Sequence, residues 1–210
     1  MTHRAHNSQK RTRIQERNEK RILDAALKVF SSYGFRGSTI DQIAKMAEMS
    51  KPNLLYYFAG KEEIYIAVLE RTLDEWLEPL TMLNPDGEPA EEIWSYIERK
   101  LNLSRTAPAA SRLFANEMLQ GAPRIQQILT GELKPLVDEK CAVIQKWIDA
   151  GKLNPVDPVH LIYMIWAATQ HYADFEAQID TLSPGPREQR FANASETLKA
   201  VFLNGLLPRS

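Results

Sequence analysis

The sequence predicts an all-α protein, and three observations carry the prediction. Apolar residues recur at i, i+3, i+4 and i+7 along most of the chain, the spacing that gathers side chains on one face of a helix. Glycine and proline punctuate those stretches: Gly34, Gly121, Gly151 and Gly205 stand where stripes end, and Pro89, Pro108, Pro158 and Pro186 where they begin. No run of alternating β-branched residues competes for a strand, and neither an internal repeat nor a phosphate-binding glycine loop interrupts the pattern. About nine helices are expected, three in a small N-terminal head and the rest in a larger body.

In chain order, residues 1–14, MTHRAHNSQKRTRI, carry Arg4, Lys10, Arg11 and Arg13 with no acid and almost nothing apolar. They predict a disordered basic arm, either a flexible extension for phosphate or minor-groove contacts or an ordinary frayed terminus. The head proper is expected over residues 15–62. Ile22, Leu23, Ala26, Leu27, Phe30 and Tyr33 mark its first amphipathic helix, closed by Gly34 in a left-handed cap position. The exposed Arg17, Lys20 and Arg21 of that helix are read either as phosphate contacts or as an ordinary solvated face.

The most informative stretch is residues 38–63, STIDQIAKMAEMSKPNLLYYFAGKEE. Ile40, Ile43, Ala44 and Ala47 form the buried stripe of a short helix, capped by Thr39 with Gln42 or by Ser38 with Asp41. Ser50 is placed to cap a second short helix, 51–57, in which Pro52 is tolerable because first-turn amides have no helical partner. Leu54 and Phe58 are expected inside. Lys51, Asn53, Tyr56, Tyr57 and, just beyond, Lys61 suit a phosphate backbone and base edges: Asn can hydrogen-bond adenine, Lys neutralises phosphate, and a Tyr hydroxyl reaches phosphate oxygen. This is the pattern of a helix-turn-helix, although short amphipathic helix pairs also occur in helical proteins that bind no DNA.

Charge separates those readings. Residues 1–61 hold 12 basic and 5 acidic side chains, net +7, and the remainder 14 and 22, net −8. A basic head favours phosphate without regard to sequence, and an acidic body is repelled by it. The longest apolar run, 161–168, is far short of the roughly 20 residues that span a bilayer. The basic N-terminus has no apolar segment behind it. Cys141 is alone, and no Cys or His cluster has zinc spacing. A cytoplasmic protein without membrane, metal or cofactor is the expectation.

The body, 63–210, reads as helices over about 61–80, 89–105, 108–120, 124–150, 158–177 and 186–204, with a kink or break near Pro135. Helix 158–177 is apolar on more than one face, so a second copy of the chain, pairing through the last two helices as a four-helix bundle, is expected to cover it. A fully buried helix in a monomer is the alternative.

The segment FSSYGFRGSTIDQIAKMAEMSKPNLLYYFAGKEEIY, followed by a long helical body, resembles the TetR family of one-component bacterial repressors. That resemblance implies that Thr39, Lys51, Pro52, Asn53, Tyr56, Tyr57 and Lys61 face DNA. It implies a homodimer on a palindromic operator, with two recognition helices about one DNA turn apart. One departure is Glu48, where the family commonly has glycine, so a non-glycine residue is expected in the left-handed region at a cost of about 1 kcal/mol. A narrower resemblance runs through NLLYYF, KEEIYIAVL, SRLFANEML followed by GAP, LTGELKPLVDEK and IWAATQHYADF, which are similar to pyrimidine-utilisation regulators of this family. It implies release from DNA by uracil, with thymine as a weaker effector, and control of pyrimidine utilisation and related nitrogen metabolism.

Uracil needs an aromatic plate and side chains that both donate and accept. Trp166 and Gln170, at i and i+4, share a helix face and supply both. Trp76 is the expected second wall, with Leu73 as apolar lining. Arg112 and Asn116 form a further i, i+4 polar pair, with Phe114 and Met118 nearby as expected lining. The duller reading of each Trp is core packing, and His171, Tyr172 and Asp174 are open to pocket, dimer seam or structural roles. Two other functions fit less well: a repressor with an unrelated effector such as an amino acid or fatty acid, or with a body that docks another protein, and an all-helical enzyme acting on a small base. Against the enzyme stand the missing metal set, the missing nucleophile with a base, and the missing pair of carboxylates on one helical face.

Overall fold

The computed structural model describes residues 13–208, and among these every regular element is helical. The chain divides into two compact units, Met1–Val68 and Leu69–Ser210. The expected arm, residues 1–14, lies outside the described residues except for Arg13 and Ile14, which open the first helix.

In the first unit, α1 (Arg13–Gly37) passes through a non-helical Gly34 at φ 66°, the glycine-only conformation expected of its cap position, and one more helical turn follows. Helices α2 (Ile40–Met46) and α3 (Lys51–Tyr57) form the predicted pair. Of the two capping schemes the Thr39 box is the one formed: Gln42 N donates to Thr39 Oγ1 at 3.2 Å, and Thr39 N donates to Gln42 Oε1 at 2.8 Å. Ser38 instead turns inward and donates to the Gly34 carbonyl at 2.6 Å. Glu48 has φ 53°, the strained non-glycine turn that the sequence implied. Ile22, Ala26 and Phe30 of α1 close on Ile43, Ala44, Leu54 and Phe58, and α4 (Lys61–Thr81) adds Ile64, Tyr65 and Val68. The Phe30 ring meets Tyr65 edge-on at 4.9 Å. At roughly 1.5–3 kcal/mol for each large side chain fully buried, this core holds two helices too short to persist alone. Tyr33, counted in the α1 stripe from sequence, is exposed, and Val29 takes the buried position.

The second unit contains the rest of α4, then α5 (Pro89–Thr106) and α6 (Pro108–Leu119). The expected single helix 124–150 is divided: α7 (Gln126–Ile128) runs into a π-helical turn, Leu129–Leu133, and α8 (Lys134–Asp149) begins with Pro135 in its first turn. Proline lacks an amide proton and its ring collides with the preceding turn, so the break falls where Pro135 required one. The expected helix 158–177 is also divided, into α9 (Pro158–Asp174) and α10 (Glu176–Leu182). Here the cause is tertiary: Arg112 of α6 donates to the Ala173 carbonyl at 3.0 Å and to Glu176 at 3.1 Å, fixing the chain where it leaves α9. Helix α11 (Arg187–Leu206) ends the unit.

Helix α5 packs against α9 and α11, and α6 and α8 lie against α9. Tyr96, Ile97 and Leu101 meet Ile162, Ile165, Phe191 and Leu198 in the resulting core, and Trp147 and Leu153 close one side of it. The outward face of α9 stays open, with Tyr163 and Met164 more than half exposed, as the excess of apolar residues in that helix had suggested.

Candidate functional site

The head presents Lys51, Pro52, Asn53 and Tyr56 together on the exposed side of α3, while Leu54 on the opposite side is fully buried. The Ser50 hydroxyl accepts from Asn53 N at 3.3 Å and fixes the start of this helix. Tyr56 is 72% exposed and its ring stands perpendicular to that of Tyr57 at 5.2 Å. The Tyr57 hydroxyl accepts a bond from Asn18 of α1 at 2.8 Å, which orients the ring at the edge of this surface. Lys51 forms an exposed ion pair with Asp41 at 2.9 Å, a contact of the kind worth no more than about 1 kcal/mol and readily exchanged for phosphate. The Thr39 hydroxyl is engaged in its cap.

Two basic residues have roles that sequence reasoning missed. Lys61, expected at DNA, points its ammonium into the head: it donates to the carbonyls of Phe35 and Ser38, each at 2.8 Å, and lies 4.6 Å from the Phe35 ring centre. Arg21 donates to the Ala47 carbonyl at 2.7 Å and reaches Glu48 at 3.4 Å, fastening the turn between α2 and α3. Neither carbonyl contact leaves a trace in the sequence, because the partners are more than twenty positions away and use backbone atoms.

In the body, Leu73, Trp76 and Leu77 of α4 face Trp166 and Gln170 of α9 across a small cavity of about 60 Å³. Five of the expected residues are thereby brought together: Leu73, Trp76, Phe114, Trp166 and Gln170. Arg112, Asn116 and Met118 are not in its wall; α6 contributes Ser111 beside Phe114, and the π-helical turn contributes Leu133. Arg112 is occupied with Ala173 and Glu176, and Asn116 is exposed. The remaining wall residue, Lys100 of α5, was not foreseen. Its signal was present in the sequence as a lysine inside the apolar stripe of Ile93, Tyr96, Ile97 and Leu101.

Lys100 is only 3% exposed, with its ammonium 3.9 Å from the centre of the Trp76 ring and 3.4 Å from the Trp76 carbonyl. Burial pulls its pKa down to about 7, against an opposing attraction to Asp174. Burial also pushes the Asp174 carboxyl above its ordinary range, although the Ser111 hydroxyl donates to it at 2.6 Å and Arg112, His171 and Lys100 pull the other way. The Trp166 indole N–H donates to the Tyr96 hydroxyl at 2.6 Å, so Trp166 is held as a plate. Burial pushes the Tyr96 hydroxyl upward, and it keeps its proton. The indole N–H of Trp76, by contrast, is buried with no acceptor.

A larger cleft of about 630 Å³ lies among α4, α5 and α11. It is open and carries Glu75, Glu78, Glu98 and Glu188 beside Arg99 and Arg105, a charged lining unsuited to a flat neutral ring. No group of three or more His, Cys, Asp or Glu residues among the described residues could hold a metal, and no described helix is long and apolar enough to cross a membrane.

Residues 22–68 match the family described as bacterial regulatory proteins, tetR family, and residues 69–209 match the YcdC-like protein C-terminal region. The chain is 50% identical over 202 residues to the HTH-type transcriptional regulator RutR of Escherichia coli K12, covering 95% of each protein. Among solved structures it is similar to a regulatory protein of the tetR family from Rhodococcus RHA1, with TM-score 0.73, 17% identity, and 92% and 98% of the two chains covered. It is also similar to the ketosteroid transcriptional regulator KstR2 of Mycobacterium tuberculosis, with TM-score 0.67, 18% identity, and 91% and 95% covered. At such identities these two likenesses speak to fold alone.

Proposed function

The chain belongs to the TetR family of bacterial regulatory proteins, and from that premise we propose that it is a homodimeric repressor of pyrimidine utilisation, released from a palindromic operator by uracil or, more weakly, thymine. It is a transcriptional regulator and not an enzyme. The proposal extends to related nitrogen metabolism as the process controlled.

The observation that carries the effector reading is the cavity between Trp76 and Trp166. Two indoles with Gln170 at the edge offer stacking surface and an amide that both donates and accepts, which is what a small planar ring with N–H and carbonyl groups requires. At about 60 Å³ the space is well below the roughly 300–1,000 Å³ of ligand pockets in general, so entry of a base requires its wall to move. Leu133 is suited to yield, because the π-helical turn that carries it is an irregular, weakly bonded segment. Helix α4 supplies the means of response: Leu73, Trp76 and Leu77 line the cavity, and the first turn of the same helix holds Lys61 in the head. A base that favours one setting of α4 changes the population of DNA-competent molecules; tight but indifferent binding would change nothing. Dimerisation is supported by the exposed apolar face of α9, where Tyr163 and Met164 stand open, and by Val201 on α11.

The test is a titration of intrinsic tryptophan fluorescence and melting temperature with uracil, thymine and cytosine. Saturable quenching and a raised melting temperature with uracil, and little change with cytosine, is the expected result. No response to any pyrimidine would remove the effector assignment and leave the regulator without it.

A further inference from the structure

The polar atoms around the cavity do not balance. Trp166 has given its N–H to Tyr96, and Ser111 has given its hydroxyl proton to Asp174. What is left over is mainly donors. The Lys100 ammonium has three protons, and its hydrogen bond is a long one of 3.4 Å to the Trp76 carbonyl. The Trp76 N–H has no acceptor. A buried donor without a partner is rare in finished structures, and one beside an ammonium held by a single long hydrogen bond and a ring face points to a ligand rich in acceptors. Gln170 is the one group on that wall whose side chain can still both donate and accept.

We propose that Lys100 selects the chemical class of ligand: its ammonium takes one carbonyl oxygen of a cyclic imide, the Trp76 indole N–H takes the second, and the Gln170 amide oxygen accepts the ring N–H between them. This rests on reading the cavity as the effector site. An imide edge reads acceptor, donor, acceptor, the complement of that wall. A 4-amino pyrimidine replaces one carbonyl with an amine and turns a donor toward the ammonium, and a methyl group on the ring nitrogen between the carbonyls fills the space meant for the Gln170 oxygen. A site whose buried polar groups are left unpaired by the wrong ligand rejects it far more strongly than a hydrophobic pocket rejects an extra methyl group.

The same geometry makes binding depend on pH. From α9, Asp174 attracts Lys100, and His171 acts on Asp174; from α6, Arg112 acts on Asp174 and is itself paired with Glu176 of α10; α4 presents the uncharged Trp76. With its pKa near 7, Lys100 is charged at lower pH and loses its proton as pH rises through 7. A ligand oxygen that needs the ammonium therefore binds with undiminished affinity below 7 and progressively less tightly above it.

Calorimetric titration of the full chain with uracil, 3-methyluracil and cytosine, on either side of pH 7, tests the assignment in the natural chain and in Lys100→Met. Uracil is expected to bind the natural chain, with 3-methyluracil and cytosine weaker by about a hundredfold or more. Lys100→Met is expected to lose about tenfold or more in uracil affinity and to lose the decline above pH 7, while its melting temperature holds or rises because a buried charge has been removed. Uracil affinity unchanged in Lys100→Met, or cytosine binding as tightly as uracil, overturns the role of Lys100, and 3-methyluracil binding as tightly as uracil overturns that of Gln170; each leaves the pyrimidine reading standing. A natural chain that binds no pyrimidine overturns both. Should the variant not fold, the cytosine comparison and the pH dependence of the natural chain decide the matter.

Discussion

Head and body treat an inward-turned lysine in different ways. In the head, half-buried Lys61 has two carbonyl acceptors at 2.8 Å besides the face of Phe35, and its charge closes the junction between α1 and α2. In the body, Lys100 is deeper and has one long carbonyl contact at 3.4 Å besides the face of Trp76, whose indole N–H has no acceptor. The rest of each unit follows the same division. Thr39, Gln42, Asn18 and Arg21 all find partners within the head, and what the head turns outward is a surface. The body keeps an unsatisfied indole N–H, that of Trp76, inside. A unit that reads DNA must be rigid before it arrives, because positioning errors cost specificity, whereas a unit that senses a small molecule needs a state that the ligand completes.

The sharpest way to break this comparison is to give both lysines the same substitution. Lys61→Met leaves two part-buried carbonyls without the charged group they were bonded to and is expected to lower stability by about 1.5–3 kcal/mol in denaturant unfolding; Lys100→Met is expected to lower it not at all. Equal losses would erase the distinction. Next in size, Asn53→Ala on the exposed side of α3 is expected to weaken operator binding by about 1–3 kcal/mol with little change in melting temperature, as read by mobility shift at fixed salt. A further effect concerns pH and is small only per pH unit. The folded pKa of Lys100, about 7, lies below its ordinary 10.5, so its burial cost is fully present below pH 7 and is relieved as pH rises toward 10.5. Stability should therefore gain up to about 1.4 kcal/mol per pH unit from this residue within that window, a slope absent in Lys100→Met when the two are unfolded side by side. Smallest of all, Asp41→Asn frees Lys51 from its surface ion pair and should tighten operator binding by less than about 1 kcal/mol, most visibly at low salt.

Most of the fold was legible because its signals are local. Thr39 and Gln42 stand three apart, Ser50 precedes its helix directly, and Pro135 broke the helix in which it was noticed. Where a boundary was misread, a distant residue was responsible: α9 ends at Asp174 and not near residue 177 because Arg112, on another helix, holds the Ala173 carbonyl. The cavity divides in the same way. Trp166 and Gln170 were paired correctly by their spacing on one helix, and Phe114 was expected as lining, but the polar residue that α6 turns inward is Ser111 and not Arg112 or Asn116. On a helix with apolar and polar residues on several sides, one residue of rotation changes the facing pair, and periodicity alone does not resolve it.

The sequence by itself determined the all-helical class, the caps of the helix-turn-helix, and the separation of a basic head from an acidic body, because each depends on residues a few positions apart or on simple sums of charge, while the left-handed Glu48 followed from the family resemblance. Only the tertiary structure decided that Lys61 serves the head's own backbone, that Arg21 secures the turn, and that Lys100 lies buried over the face of Trp76. These outcomes depend on which carbonyl or ring a long flexible side chain meets after helices distant in sequence have packed. The chemistry of a lysine is written in the chain, but its partner is chosen by the fold.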